Sequence, residues 1–389
     1  MRICQLTHKP AYPTVDGGCI AMAHVLESLL RSGNTVDVLT LSTFKHRFDE
    51  SAFPSNDRLE VRSVEIDLRT KVSDALKNLG QRSSYIMARF DAPQVRSALQ
   101  EQLNNGYDVI YIESIFWLPY LPELKSSGIP LVLRSHNIEH RVWRELAYKS
   151  SFPRSAYLRL LARRLRREEH LMWQGVDQIH SISSSDSTTI AKHTSADVID
   201  LPMAVKVNDE VPNAPKPFVC HHLGAMDWIP NQEGMRWFLD KVWPGVQRAE
   251  SLAEFHLAGR RMSVEFQQMK GPGVRVIGAV DDAKAFRAEH GVLVVPLFSG
   301  SGLRIKILEA LAEGVPVMAT TKAIEGLPEV QTSGMFVSDD PLKWIKKLSV
   351  IWHRPVEGQK MAEDGKAYAK RYFGMDALDI RLSESLRQL

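Results

Sequence analysis

The stretch from Val294 to Leu327 constrains this chain more than any other part of it. Its sequence is VVPLFSGSGLRIKILEALAEGVPVMATTKAIEGL. The apolar runs at both ends predict two buried strands, and the segment between them predicts a glycine-serine loop, a helix and a tight turn. A strand, a loop, a helix and a second strand in this order indicate an α/β fold.

The loop at 299–302 predicts an anion-binding site. Its residues carry little side-chain bulk, so its backbone can approach a ligand closely. A helix that begins near Leu303 directs free N–H groups and a positive dipole at that ligand. Arg304 and Lys306 add two cations, and Glu309 follows one turn after Lys306. This combination indicates a site for a nucleotide-linked substrate.

Size and composition exclude several classes of protein. A chain of 389 residues is longer than one ordinary core, so two domains are expected. Hydrophobic residues at 44% and charged residues at 24% argue against disorder, and a net charge of +3 argues against a nucleic-acid binder. Three cysteines without metal-ligand spacing favour a reducing compartment. Without a signal core or a long apolar run, the expected location is cytoplasmic.

The N-terminal part predicts a βαβ unit. Residues 2–7 and 36–41 read as strands, and 19–31 as a helix with an apolar stripe. The pair Gly17-Gly18 precedes the predicted helix but is not part of a full GxGxxG, so a dinucleotide fingerprint fits poorly. From spacing alone, the pair is compatible with a tight turn as well as with a ligand contact.

Two further predicted strands end in polar side chains. Glu113 closes the strand 108–113, and His136 and Asn137 close the strand 130–137. Because ligands of open α/β sheets bind at the carboxyl ends of strands, these positions are candidates for chemistry. For His136 a structural role is the alternative.

Residues 154–173 predict a basic amphipathic helix, RSAYLRLLARRLRREEHLMW. The arginines of 154–167 could contact anionic lipid headgroups, while Leu158, Leu161 and Leu165 face the other way. An ordinary surface helix is the alternative. The proline-rich segment 201–218 is the best candidate for a linker, and strands alternate with helices again after it. The expected fold class is α/β with two doubly wound, Rossmann-like domains.

Four segments in this order resemble the GT-B glycosyltransferases, in particular family 4 of the retaining enzymes, over essentially the whole chain. They are VDGGCIAMAHVLESLLRSGNTVDVLTL, RSHNIEH, LGAMDWIPNQEGMRWF and LEALAEGVPVMATTKAIEGL. The third is similar to a bacterial polysaccharide-associated branch. The resemblance implies two domains facing across a cleft. Residues 1–202, joined by a C-terminal helix at about 375–389, would bind the acceptor, and residues 203–374 would bind the donor.

The resemblance also implies roles for single residues. Glu309 matches the glutamate that holds the donor ribose, and His136 matches the histidine that touches the transferring sugar. Gly17 and Gly18 match the loop that meets the donor. The remaining donor-binding candidates lie in the glycine-serine loop, where the base would rest, or in the AIEGL segment: Gly300, Ser301, Gly302, Leu303, Ile277, Gly278, Val280 and Glu325. Glu113 and Asn137 are candidates on the acceptor side.

The chain departs from the family pattern at two places. The family carries Glu-x7-Glu, but Ser301 stands eight positions before Glu309. The usual Arg and Lys after the first donor-domain strand are also missing, and Arg304 and Lys306 are the expected replacements. For Glu309 the alternative is pairing with a neighbouring cation, and for Glu325 it is a solvated loop charge.

The implied function is transfer of a sugar from a nucleoside diphosphate sugar to a glycan or lipid-linked acceptor, with retention and with neither metal nor resident cofactor. Cell-surface polysaccharide or glycolipid synthesis is the expected setting, with contact at the inner face of the membrane through helix 154–167 left open. The alternatives are another GT-B enzyme, such as a sugar-nucleotide epimerase, and a non-catalytic nucleotide-sugar binding protein.

Overall fold

The computed structural model describes residues 1–207, 216–300 and 302–389. Most of the proposed linker, 208–215, and Ser301 therefore lie outside the described residues. The chain divides into two compact units, Met1–Met203 with Leu378–Leu389, and Ala204–Ala377.

The first unit contains a parallel sheet of seven strands in the order β3-β2-β1-β4-β5-β6-β7. The strands are β1 Arg2–Thr7, β2 Thr35–Ser42, β3 Leu59–Glu65, β4 Val109–Ile112, β5 Leu131–Ser135, β6 Gln178–Ser181 and β7 Asp197–Asp200. The helices are α1 Gly17–Arg31, α2 Val72–Asn78, α3 Tyr85–Ala88, α4 Pro93–Leu103, α5 Leu121–Ser126, α6 Glu139–Tyr148, α7 Arg154–Gln174 and α8 Ser184–Ile190. Short 3₁₀ turns occupy Glu50–Ala52 and Ile115–Tyr120.

The strand sequences explain why this sheet is parallel and covered on both faces. Every residue of β4 and β5 is buried, as expected for strands that pack helices on either side. Ile3 of β1 pairs with Val36 on one side and Val109 on the other, so the strand order reverses beside β1. The reversal leaves an opening at the carboxyl ends of β1 and β4, where doubly wound folds bind ligands.

The second unit contains a parallel sheet of six strands in the order β10-β9-β8-β11-β12-β13. The strands are β8 Val219–Leu223, β9 Glu254–Ala258, β10 Val274–Gly278, β11 Val292–Val295, β12 Val317–Ala319 and β13 Phe336–Val337. The helices are α9 Ile229–Trp237, α10 Trp243–Ala249, α11 Val264–Gln267, α12 Ala283–Glu289, α13 Ile305–Ala312, α14 Pro341–His353, α15 Pro355–Phe373 and α16 Met375–Leu386. A π-helical turn, Phe238–Val242, joins α9 to α10, and 3₁₀ turns occupy Thr321–Ile324 and Val330–Thr332.

This sheet repeats the reversal of the first one, here between β8 and β11. The stretch that opens the sequence analysis supplies β11, α13 and β12, and β11 pairs with β12 in parallel. The predicted fold class, two doubly wound α/β domains, is thus confirmed.

The last helix, α16, packs in the first unit for most of its length. Oδ2 of Asp379 forms an ion pair with Nε of Arg31 at the end of α1, at a distance of 3.0 Å. The Gln178 side chain of β6 donates to the carbonyl oxygen of Ser385 at 3.2 Å.

Some local predictions need correction. The first helix begins at Gly17 rather than Cys19, because the Asp16 carboxylate caps it by accepting from the Cys19 amide at 2.9 Å. The glycine pair is therefore the first turn of α1 and not a loop before it. Asp282 likewise caps α12, a helix that the sequence analysis did not predict, as it did not predict α6.

Candidate functional site

Polar groups gather at the carboxyl edge of the sheet in each unit, and each group is described by itself. In the first unit a cavity of about 310 Å³ lies at this edge, beside the reversal between β1 and β4. Four residues predicted from the sequence line it: Gly17, Gly18, His136 and Asn137. His8, Lys9, Asp16, Arg134 and Glu139, which the sequence analysis did not single out, line it as well.

His136 is held by a buried carboxylate. Its Nε2 lies 2.9 Å from Oε2 of Glu113, whose side chain is fully buried at the end of β4. The other oxygen of Glu113 accepts from Gln5 at 2.8 Å. Because a carboxylate oxygen accepts hydrogen bonds, we assign the ring proton of His136 to Nε2. Nδ1 is then the ring nitrogen without a proton. Glu113 thus lies beneath His136 and orients it, and it does not itself line the cavity.

An ion pair stands beside the glycine pair. The Lys9 ammonium lies 2.7 Å from both carboxylate oxygens of Asp16. Burial acts to raise the pKa of Asp16, but the hydrogen bonds from Lys9 and from the Cys19 amide outweigh it and hold that pKa below its usual range. Lys9 and Asp16 therefore face the cavity as a neutralised pair.

Glu139 is an acid that the sequence analysis missed. Burial, and then the neighbouring Glu169 carboxylate, raise the pKa of Glu139 to about 7. Glu169 is itself fixed at the start of α6, where it accepts from the Glu139 amide at 2.7 Å and lies 2.6 Å from Nδ1 of His140. The signal was present in the RSHNIEH segment, but its carboxylate partner lies 30 residues away in the sequence.

In the second unit the start of α13 carries the predicted cations. Arg304 is the residue before the helix, with φ −90° and ψ 85°. Its Nη1 donates to the carbonyl oxygen of Gly302 at 2.9 Å, and its guanidinium lies 5.3 Å from the ring centre of Trp228. Arg304 therefore belongs to the loop and not to the helix. Two residues at positions i and i+2 of a helix point in different directions, so only a loop position lets Arg304 reach the same ligand as Lys306.

Lys306 joins three elements of the second unit. Its Nζ donates to Oδ1 of Asn231 on α9 at 2.8 Å and lies 3.3 Å from Nε2 of His222 on β8. Nδ1 of His222 lies 2.9 Å from the Val294 carbonyl oxygen and donates to it, so Nε2 accepts from the ammonium. A side chain at Gly224 would place its Cβ 2.6 Å from Nζ, so only glycine leaves room for this contact.

Burial, and then the charge of Arg304, lower the pKa of Lys306 to about 7. The second effect arises because Arg304 and Lys306 share one helix end. An anion at this point would relieve both effects, since it would neutralise the two charges at once.

Glu309 lies one turn further along α13 and is already paired. Its Oε2 accepts from Nη1 of Arg287 on α12 at 3.0 Å, and Arg287 also binds Glu313 at 2.5 Å. The pairing considered as an alternative for Glu309 is thus present. The Glu309 side chain remains 34% exposed, so a ligand can still reach it.

The other predicted donor-binding residues lie in separate places. Gly300 has φ +93°, and a Cβ there would meet the Trp228 ring at 2.8 Å, so the loop is tied to the start of α9. Leu303 follows in the same loop and is half-buried. Ile277 and Gly278 end β10, with Ile277 44% exposed, and Val280 follows them. Glu325 is exposed and pairs with Lys322 at 2.5 Å.

Two sequence-adjacent acidic pairs, Asp281-Asp282 and Asp339-Asp340, contain residues that serve the backbone. Asp282 and Asp340 cap helices, and Asp339 accepts from the Thr321 amide at 2.9 Å. Among the described residues, Asp16, Cys19 and His46 bring three ligand atoms within 4.8 Å of one another. The ammonium of Lys9 on Asp16 disfavours a cation there.

Comparison with known proteins identifies a domain within the second unit. Residues 217–353 match the family model Glycosyl transferases group 1. The match includes β8, α9, α13 and the residues around Lys306 and Glu309. The predicted enzyme class, a glycosyltransferase, is thereby confirmed.

Three similar proteins match over 90% or more of the chain. An uncharacterized 44.6 kDa protein in the cps region of Klebsiella pneumoniae is 22% identical over 369 residues, which cover 90% of each chain. Sucrose-phosphate synthase from Thermosynechococcus elongatus has a similar fold, with a TM-score of 0.68 at 13% identity over 100% of this chain and 99% of the other. Anabaena HepE in complex with UDP-glucose gives a TM-score of 0.60 at 14% identity over 100% of both chains.

Replacing Lys306 by Met should make the protein more stable, and more so at pH 7 than at pH 10. The pKa of Lys306 in the folded chain is about 7, against an ordinary value of 10.5, so between these values the unfolded chain binds more protons. The wild type therefore gains stability as the pH rises through this window, whereas Lys306→Met lacks that gain. The difference between the two pH values should be on the order of 2 kcal/mol, allowing for partial solvent contact of the ammonium.

Urea unfolding of the two proteins at both pH values measures this difference. The exposed Lys346 on α14 supplies the control, since Lys346→Met should change stability equally at both pH values. A stability difference for Lys306→Met that is the same at pH 7 and pH 10 would contradict the buried-cation interpretation.

Proposed function

We propose that this protein transfers a glycosyl group from a nucleoside diphosphate sugar to a glycan or lipid-linked acceptor, with retention at the anomeric carbon and without a metal ion. The arrangement at the start of α13 carries the proposal, because it places two cations and free helix amides at one point of the confirmed glycosyltransferase domain. In this proposal residues 203–374 bind the donor, and residues 1–202 with 375–389 bind the acceptor.

The diphosphate of the donor is assigned to the start of α13. Negative charge grows on the leaving diphosphate as the bond to the sugar breaks, and a preorganised cation stabilises that charge. Lys306 is held in position by Asn231 and His222. Arg304 is held against Trp228 and the Gly302 carbonyl. These two cations take the place of the basic pair that the chain lacks after β8, and they do so without metal.

The ribose of the donor is assigned to Glu309. A carboxylate accepts two hydroxyl protons, and Glu309 lies one helical turn from Lys306 on the same helix. Its bond to Arg287 uses Oε2 and fixes the orientation of the side chain, while the partly exposed carboxylate keeps capacity for further donors. Gly300, Gly302, Leu303 and Glu325 are assigned to donor contacts beside it, and Ile277, Gly278 and Val280 to the base.

His136 is assigned to the transferring sugar, and Gly17 and Gly18 to donor contacts on the first unit. Glu113 fixes the orientation of the His136 ring through the 2.9 Å contact with Nε2. Asn137 is assigned to the acceptor, since it lines the same cavity. Glu113 acts through His136 and is a positioning residue.

The relatives suggest which donors and acceptors to test first. HepE has been solved with UDP and with UDP-glucose, and WaaB is a lipopolysaccharide outer core galactosyltransferase. The K. pneumoniae relative belongs to a cps region. We therefore propose a UDP-sugar as the donor and a role in cell-surface polysaccharide or glycolipid synthesis.

A thermal-shift screen over nucleotide sugars, followed by measurement of nucleoside diphosphate release, tests the proposal. The wild type should be stabilised by at least one UDP-sugar and should release UDP in the presence of acceptor. His136→Ala should keep the thermal shift and lose release by about a hundredfold or more. Mass spectrometry of the products then separates the alternatives. A sugar-nucleotide epimerase yields an isomer of the donor without any acceptor, and a non-catalytic nucleotide-sugar binding protein yields no product.

Glu309→Ala should weaken donor binding by about tenfold, because two ribose hydroxyls lose their acceptor. Arg287→Met is the matched control, since it breaks the same ion pair from the other side and leaves the carboxylate in place. Titration with the donor from the first screen measures both variants. If the two variants lose stability alike and keep wild-type affinity, Glu309 serves the ion pair alone.

We propose that the protein works in the cytoplasm with peripheral contact to an anionic membrane through helix 154–167. Leu158, Leu161 and Leu165 are buried as predicted, while Arg159 and Arg163 are exposed. Phe152, just before the helix, is 83% exposed, and Tyr148 at the end of α6 is 75% exposed. Exposed aromatic rings beside cations suit a headgroup boundary. No helix among the described residues has both the length and the apolarity to cross a bilayer.

Vesicle sedimentation measures this contact. The wild type should bind vesicles that contain phosphatidylglycerol and leave pure phosphatidylcholine vesicles unbound. The double change Arg159→Glu and Arg163→Glu should weaken binding at least tenfold, at about 1 kcal/mol for each cation. The same changes at the exposed Lys343 and Lys346 of α14 serve as the control. Equal loss in both double variants would show that only net charge matters.

A further inference from the structure

A second, larger cavity lies in the first unit, and none of the assignments above uses it. It has a volume of about 630 Å³. It is formed by residues of 67–91, by Leu118 and Pro119, and by Glu168 of α7, and it is called the Glu168 cavity below. The segment 67–91 follows the carboxyl end of β3, and Leu118 and Pro119 follow that of β4. The cavity therefore lies at the same edge of the sheet as His136.

Glu168 is a buried carboxylate with one oxygen in use. Its residue is 4% exposed, and Oε1 accepts from the Ser83 hydroxyl at 2.7 Å and from the Ser84 amide at 2.8 Å. The other oxygen, Oε2, is buried and has no donor among the described residues. A buried carboxylate oxygen without a donor is costly, so a group that donates to it is favoured in this cavity.

Arg89 supplies the complementary donor. Its Nη1 is held by the Leu68 carbonyl at 2.6 Å, and its guanidinium lies 5.3 Å from the ring centre of Tyr85. Its Nε is buried and has no acceptor among the described residues. One wall of the cavity thus offers an acceptor and the other a donor, both held by fixed partners.

These groups suit a neutral polyol better than an ion. A sugar hydroxyl both donates and accepts, so hydroxyls can satisfy Glu168 and Arg89 together. A phosphate would meet the Glu168 carboxylate and be repelled. The lining balances four cations against four carboxylates and so offers a phosphate no net positive charge: Arg69, Lys71, Lys77 and Arg89 against Asp67, Asp74, Asp91 and Glu168. Met87, Leu118 and Pro119 add apolar surface for the C–H faces of a sugar ring.

Two stacked rings connect the Glu168 cavity to the cavity of His136. Phe90 follows Arg89 in the sequence, and its ring lies 4.6 Å from that of Phe116 at an angle of 4°. Phe116 lines the cavity of His136 and contacts the His8 ring at 5.5 Å. Phe90 is 5% exposed, so this pair of rings links the walls of the two cavities through the core of the unit.

We infer that the Glu168 cavity binds a carbohydrate, a sugar unit of the acceptor remote from the reacting hydroxyl. The identification of this carbohydrate as acceptor rests on the proposed function, whereas the binding of a saccharide to the cavity does not. An acceptor longer than one sugar follows from this inference, because the two cavities are separate.

Saturation-transfer NMR on the full chain, with maltose, lactose and cellobiose as probes, tests the inference. At least one probe should bind the wild type with a millimolar Kd. Glu168→Gln should weaken that binding at least fivefold, since the amide keeps an oxygen for Ser83 and Ser84 but replaces Oε2 by a donor. Ala88→Trp, which fills the cavity from α3, should abolish it.

The neighbouring Glu169→Gln is the matched control. Glu169 is also a buried carboxylate of α7, but its partners are His140 and the start of α6, so this variant should keep the probe affinity. The inference is overturned if no probe binds, or if Glu168→Gln and Ala88→Trp bind the probes as the wild type does.

The UDP-induced thermal shift, measured in the same samples, separates this inference from the proposed function. Both variants should retain the wild-type shift. Probe binding that depends on Glu168 in a protein without any nucleotide response would uphold the cavity and overturn the transferase proposal. Nucleotide turnover without probe binding would uphold the transferase proposal and overturn the inference that the Glu168 cavity binds a saccharide.

Discussion

Parallel pairing of the strands in both sheets is the constraint on which the rest of this structure depends. The carboxyl ends of parallel strands lie at the same edge of the sheet. Residues that follow different strands, and are distant in the sequence, therefore meet at that edge. Glu113 and His136 meet because β4 and β5 are neighbours, and His222 meets Lys306 because β8 and β11 are neighbours. The pairing of the strands therefore brings the polar side chains of each unit to one edge of its sheet, and contacts between those side chains then fix their orientation.

Much of the fold could be predicted from the sequence, because apolar runs and helical stripes are local signals. The strand, loop, helix and strand from 294 to 327 are present as expected. The partners of the site residues could not be predicted in the same way. Asn231 and His222 lie 75 and 84 residues from Lys306, and Arg287 lies 22 residues from Glu309. Contacts of this kind depend on which strands become neighbours in the sheet, and a local pattern of hydrophobicity does not encode the strand order.

Local electrostatics were also beyond the reach of the sequence. Arg304 and Lys306 look equivalent as letters, yet one rests on an aromatic ring in a loop and the other on a histidine and an amide. The capping of α1 by Asp16 is a similar case, since an aspartate before two glycines reads as a turn until the helix is seen. In the proposed function, stability and donor binding compete at Lys306, because a buried cation beside Arg304 weakens the fold that holds it.

The placement of α16 has a consequence for how the chain is made. The first unit consists of Met1–Met203 and Leu378–Leu389, so the whole second unit is inserted within it. A ribosome makes the residues of α16 only after those of the second unit. The second unit can therefore complete its sheet during translation, whereas the first unit must wait for its final helix. The partner of Arg31 and Gln178 is made only after the second unit, so the first unit is the later of the two to complete its packing.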